Sequence, residues 1–175
     1  MQTHLILSAI ATEDPRSLDS LVRAIHECGC GIEEARLVRF GDRAGLVAGV
    51  SGNWNAVAKL DGALARLHGE HRLQVVSSRS SRDAPRPETI PYLAEITGAD
   101  RPGVLARMVQ FFSDREIPIE DFHATTSHAA HGETRVGSTH FTVGLPTSLS
   151  LATIRGEFMD VCDELNVDGV LAPIR

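Results

Sequence analysis

Aromatic residues are scarce, at 5% of 175 positions. That argues against a surface that reads single-stranded nucleic acid by stacking bases. Positive charge is not concentrated either. The net charge is −6 and no long basic run occurs, whereas a nucleic-acid surface needs a clustered Lys/Arg face, so no direct contact with nucleic acid is expected. Three cysteines, an odd number, do not make a disulfide framework. With reduced thiols the expected compartment is the cytoplasm. No apolar run is long enough to span a bilayer. The first residues lack a charged n-region and an apolar h-region, so no membrane association is expected.

Reaction motifs are missing too. The chain has no Gly-x-Ser-x-Gly, no Walker loop and no dinucleotide fingerprint after its first predicted strand. We therefore expect no enzyme and no cofactor. His123, His128, His131 and His140 fall on a predicted strand and a polar loop, without the His-x-x-x-His spacing of a helical site. Zinc needs three or four convergent, well-supported ligands, so these histidines read as solvated and no metal is expected. Cys28 and Cys30 form a Cys-x-Cys with no second pair and read as a helix end. A redox role stays open if one thiol is exposed.

What the chain does have is hydrophobic residues, 42% of it, enough for a packed core. Leu5–Ala11 alternates loosely and predicts a strand. Thr12-Glu13-Asp14-Pro15 is a helix start, and Leu18, Leu21, Val22 and Ile25 form a helical stripe. Cys28-Gly29-Cys30-Gly31 stops that helix. Ile32–Phe40 predicts a second strand with Ala35, Leu37 and Arg39 on one face. Gly41-Asp42-Arg43 is a hairpin turn, and Gly45–Val50 a third strand. Ser51-Gly52-Asn53 caps a second helix whose buried stripe is predicted as Trp54, Val57, Leu60, Leu64 and Leu67. His71–Ser77 is a fourth strand. Residues 79–91 are rich in Ser, Arg and Pro and lack periodicity, which predicts a linker between a first domain, 1–78, and a second, 92–175. Its Arg79, Arg82 and Arg86 read as solvating an exposed connector, with phosphate contact as the alternative.

The pattern then restarts. Pro15 and Pro102 stand 87 positions apart (102 − 15), and the same offset lays Leu18 on Leu105, Val22 on Val109, Ile25 on Phe112, Ile32 on Ile119 and Glu33 on Glu120. An ungapped repeat of this length predicts two copies of one unit. The second copy continues with a strand over 119–127, a loop over 128–137, a strand over 139–145, a helix striped by Leu151, Ile154, Phe158, Val161, Cys162 and Leu165, and a last strand from 167. Each copy reads βαββαβ. The predicted fold is α+β, two ferredoxin-like units with antiparallel sheets and helices on one face. The other sheet face is left partly apolar. The partner unit or a second chain could cover it, and a homo-oligomer is expected.

The start of the second copy carries the clearest chemistry. Tyr92–Thr97 is strand-like, Gly98–Gly103 is turn chemistry, and from Val104 the apolar residues Leu105, Met108, Val109 and Phe112 mark one helix face. A strand and a tight turn running into a helix aim bare N–H groups at a ligand, where an anion fits. Asp100 is expected to cap this helix and Pro102 to sit in its first turn. Gly103 lacks a Cβ, which permits close approach. The alternative is a capped βα turn with no ligand.

The segment Gly98-Ala99-Asp100-Arg101-Pro102-Gly103, in a βαββαβ frame, resembles the ACT domain, a small-molecule regulatory module. Cys28-Gly29-Cys30-Gly31-Ile32-Glu33-Glu34, Ser51-Gly52-Asn53-Trp54-Asn55-Ala56 and Cys162-Asp163-Glu164-Leu165-Asn166 resemble segments of the glycine cleavage repressor family. The resemblance implies two ACT domains without a catalytic or DNA-binding domain. It implies repression by contact with a LysR-type transcriptional activator, and sensing of glycine or a similar small amino acid. By the same resemblance the ligand sits where one domain's first loop meets the neighbouring domain; the loop is Asp100, Arg101, Pro102, Gly103, Val104 and Leu105, and the facing wall is the start of the second strand, Ile119, Glu120 and Asp121. Loop N–H groups would take the carboxylate, and Asp121 or Asp100 the ammonium. Glu120 and Asp121 also fit an exposed strand end. Arg101 also fits a surface ion pair.

The first copy departs from the loop pattern, with Arg16 where the second has Gly103, so the ligand loop is placed in the second copy. Arg16 pairing with a ligand carboxylate is the alternative. Two other readings remain: a ligand-free ACT scaffold that regulates an enzyme in trans, and a detached regulatory domain like that of formyltetrahydrofolate deformylase.

Overall fold

A computed structural model describes residues 2–12, 14–70, 73–80, 88–128 and 135–174. Glu13, His71, Arg72, Arg82, Arg86 and His131 lie outside the described residues, as does most of the 128–137 loop. The chain divides into two compact units, Met1–Pro85 and Arg86–Arg175.

The first unit runs β1 (Gln2–Thr12), α1 (Pro15–Glu27), β2 (Gly31–Phe40), β3 (Arg43–Asn53), α2 (Trp54–Glu70) and β4 (Gln74–Ser80). The second repeats it as β5 (Thr89–Ala99), α3 (Val104–Ser113), β6 (Ile119–His128), β7 (Arg135–Pro146), α4 (Leu151–Leu165) and β8 (Val167–Pro173). Both sheets are antiparallel, in the orders β2-β3-β1-β4 and β6-β7-β5-β8. The α+β, ferredoxin-like reading therefore holds for both copies. Each second strand carries the same bulge, at Ile32/Glu34 in β2 and Ile119/Asp121 in β6. The duplication thus reaches an irregularity of backbone register.

Alternation places one face of each sheet under the helices. In the first unit Leu5, Leu7 and Ala9 of β1 meet Leu21 and Ile25 of α1 and Val57, Leu60 and Leu64 of α2. In the second, Ala94 and Ile96 of β5 meet Met108, Phe111 and Phe112 of α3 and Ile154, Phe158 and Val161 of α4. Its ring centroids lie 5.2–6.4 Å apart among Phe111, Phe112, Phe141 and Phe158, the spacing at which aromatic pairs add to plain burial.

Four local expectations are corrected. Trp54 is 67% exposed. The core-facing place in the first turn of α2 belongs to Ala56, beside Gly52 and Cys30, and Asn53 Oδ1 closes the turn on the Ala56 N–H at 2.9 Å. Leu18 and Val22 also stay largely outside the core, which α1 enters through Leu21 and Ile25. The fourth strand begins at Gln74, with Leu73 buried just ahead of it. The stretch 79–91 is partly strand at both ends: Arg79 and Ser80 pair with Leu5 and His4, while Thr89 and Ile90 pair with Pro146 and Leu145. Ladder hydrogen bonds are made by backbone, so side-chain composition did not reveal them.

Candidate functional site

The turn between β5 and α3 is built differently from its counterpart in the first unit. Before α1, the Asp14 carboxylate accepts the Arg16 N–H at 3.0 Å and the Arg16 Nε at 3.1 Å, with Pro15 as the first helical residue. That helix end is satisfied by its own sequence. Before α3, the N-cap residue is Gly103, at φ 94° and ψ −14°, with no side-chain cap. Asp100 is therefore not the cap. Its backbone N–H donates to the Arg135 carbonyl at 2.9 Å, and its carboxylate pairs with Arg135 Nη2 at 3.3 Å. Pro102 precedes the helix instead of sitting in its first turn. A left-handed backbone, which favours glycine, thus leaves the first turn of α3 without a side-chain acceptor.

Beside this turn lies a recess of about 200 Å³. Five of the six predicted loop residues line it, Asp100, Arg101, Gly103, Val104 and Leu105; Pro102 does not. Its far wall is Ala124, Thr125 and Thr126 of β6 with Gly137 and Thr139 of β7. Ile119, Glu120 and Asp121 lie at the opposite end of β6, where Ile119 pairs with Val143 and Asp121 with Thr142. They do not line this recess. The sequence analysis did not name Ala124, Thr125, Thr126, Gly137 or Thr139 as the wall of this recess. Its signal was β-strand parity: Ala124 and Thr126 lie on the helix-facing side at the end of β6 that meets the βα turn.

Small and hydroxyl-bearing walls with a helix N-terminus at the mouth suit a small polar anion. Arg101 lines the recess, is exposed and makes no ion pair among the described residues. It can add a guanidinium to the helix N–H groups.

The remaining candidates do not converge here. His140 Nδ1 lies 3.0 Å from Glu95 Oε1 and its Nε2 3.3 Å from Ser138 Oγ. This line sits on the sheet face away from the helices, since Phe141 and Val143 point into the core. His123 lies opposite His140 in the ladder. No group of three or more His, Cys, Asp or Glu is arranged for a metal among the described residues. Cys30 and Cys162 are buried, and burial pushes both thiols up, Cys162 to about 11. Cys28 is half-buried.

Residues 3–78 match the family model described as the ACT domain. The chain is 26% identical over 168 residues to the glycine cleavage system transcriptional repressor of Escherichia coli (strain K12), covering 96% of this chain and 88% of that protein. The repressor of the same name from Shigella flexneri matches equally. A crystal structure provisionally given that repressor name superposes with a TM-score of 0.74 at 23% identity, over 100% of this chain and 99% of the other. A protein of unknown function from Galdieria sulphuraria superposes at 0.80 and 18% identity, over 100% of both. These two establish the shared fold. No helix among the described residues is long and apolar enough to cross a membrane. The first unit thus matches the ACT domain, the second repeats its fold, and the chain is similar over nearly its whole length to the glycine cleavage system transcriptional repressors, relatives whose name assigns them a regulatory role.

Proposed function

We propose that this chain is a non-enzymatic regulator of glycine cleavage genes that binds glycine or a similar small amino acid in the second unit and acts by docking on a LysR-type transcriptional activator. The observation that carries the sensing half is the uncapped start of α3 beside an open recess of about 200 Å³. The ligand carboxylate lies against the first-turn N–H groups and Arg101, and the Asp100 carboxylate, held among the described residues by a single Arg135 contact on Oδ2 where Asp14 takes two from Arg16, receives the ammonium on Oδ1. The hydroxyls of Thr125, Thr126 and Thr139 in the recess wall favour a small polar amino acid such as glycine or serine over an aliphatic one. The docking half rests on the resemblance to the repressor family, and the net charge of −6, which disfavours direct contact with DNA, agrees with it. Ile119, Glu120 and Asp121, far from the recess within their own unit, serve in this reading only as a wall presented to another ACT domain.

Calorimetry with glycine, serine and leucine tests the sensing half. Glycine or serine should release heat with the native chain and none with Ala124→Leu, a substitution on an exposed position that restores the residue found at the matching place in the first unit, Leu37. Absence of heat from every amino acid, with the activator still co-eluting in size-exclusion chromatography, would remove the sensing half and leave docking alone. Loss of co-elution would remove the docking half.

A further inference from the structure

The first unit holds a cavity at the position of the second unit's recess, with the opposite chemistry. Leu37 of β2 faces Leu46 in the ladder, and Arg39 faces Ala44. At the corresponding places of the second unit Ala124 faces Thr139 and Thr126 faces Gly137. Small and hydroxyl-bearing walls have thus become leucine and arginine. The cavity measures about 220 Å³ and lies between α1 and the sheet, with Leu18, Leu37, Leu46 and Leu73 among its walls and Arg39 on its rim. It is smaller than the roughly 300–1,000 Å³ of drug-sized sites, which suits a skeleton about as large as that of leucine.

The way this site can hold an anion also differs. The helix start that serves the second unit is closed here, because Asp14 accepts the Arg16 N–H and pairs with the Arg16 guanidinium at 3.1 Å. Arg16 is therefore already engaged. Arg39 makes no ion pair or hydrogen bond among the described residues. A guanidinium without a partner among the described residues, at the edge of an aliphatic cavity, matches a molecule with a carboxylate at one end and a branched or straight hydrocarbon at the other. Among the described residues the only carboxylate lining the cavity is that of Asp14, and Arg16 already occupies it. An ammonium is therefore poorly served, and an acid without one fits better than an amino acid.

We propose that the first unit binds an aliphatic monocarboxylate, its tail in the cavity between α1 and β2 and its carboxylate held by Arg39. This site is independent of the amino-acid site in the second unit.

Calorimetry and thermal shift on the full chain, with hexanoate, isovalerate, acetate and leucine as probes, decide it. Hexanoate or isovalerate should bind and raise Tm, acetate should not, and leucine should bind more weakly. Arg39→Gln, on an exposed residue, should weaken binding about tenfold, and Ala44→Leu should abolish it by filling the cavity. Circular dichroism should report both variants folded. Ala124→Leu should leave this binding unchanged while removing the response to glycine. The proposal is overturned if neither acid binds, if binding survives both first-unit variants, if Ala124→Leu abolishes it, or if leucine binds more tightly than either acid.

Discussion

Single residues separate what hydrophobicity suggests from what burial delivers. Trp54, 67% exposed at the first position of α2, makes little of the core. Trp54→Ala should change stability by under about 1 kcal/mol in urea unfolding, the ordinary range for a surface site. Phe158 is fully buried against Phe111 and Phe112, and Phe158→Ala should cost about 3–5 kcal/mol. The same experiment can follow Cys162, whose thiol is held up at about 11 against an ordinary 9.0 by burial first, then by Asp163 and Asp168. Between those values the unfolded chain loses a proton that the folded chain keeps. Stability from this group is therefore complete below 9.0 and is lost as pH rises toward 11. The urea midpoint should fall between about pH 8 and about pH 10, and Cys162→Ala should reduce that fall.

Helix starts show how much could be read from the chain and where reading stopped. The order of strands and helices, the duplication and the βα loop were all legible, because apolar periodicity and the offset of 87 are properties of sequence. The first-unit start was legible as well, since Asp14-Pro15 is a side-chain cap followed by a proline with a suitable φ. The second was only half legible. Asp100 suggested a cap, but the residue that opens α3 is Gly103, at φ 94°, while the Asp100 N–H donates to the Arg135 carbonyl. The wall of the recess was hidden for a related reason: strand parity at Ala124 and Thr126 depends on the bulge at Ile119/Asp121, which no pattern of residue types announces. The two starts should therefore respond differently to the same substitution. Asp14→Ala removes a cap and should cost about 0.5–2 kcal/mol. Asp100→Ala removes a partly exposed ion pair with Arg135 and should cost about 0–1 kcal/mol. Unfolding midpoints of the two variants give the comparison. An equal loss would mean that Asp100 supports the helix after all.

At the scale of the whole molecule, the outer faces of the two sheets share apolar places, Ile6 and Val76 on the first matching Leu93 and Val170 on the second, and differ at their centre. On the first sheet Ile6 and Ile10 of β1, Val47 of β3 and Val76 of β4 point away from the helices and are 41–69% exposed. On the second, the places of Ile10 and Val47 are held by Thr97 and His140, next to Glu95 and Ser138. An apolar sheet face of this kind is costly to leave in water and marks an interaction surface, whereas hydroxyls and the His140–Glu95 hydrogen bond are readily solvated there. Self-association, expected from the βαββαβ pattern, should therefore run through the first sheet. Sedimentation over a range of concentrations should show an oligomer that Ile10→Glu shifts toward monomer, because a desolvated carboxylate in the interface has no cation to meet. Thr97→Glu, the matching change on the second sheet, should leave the distribution as it was. If Ile10→Glu associates like the native chain, copies do not meet on this face, and the exposed valines and isoleucines are left for the activator that the regulator is proposed to contact.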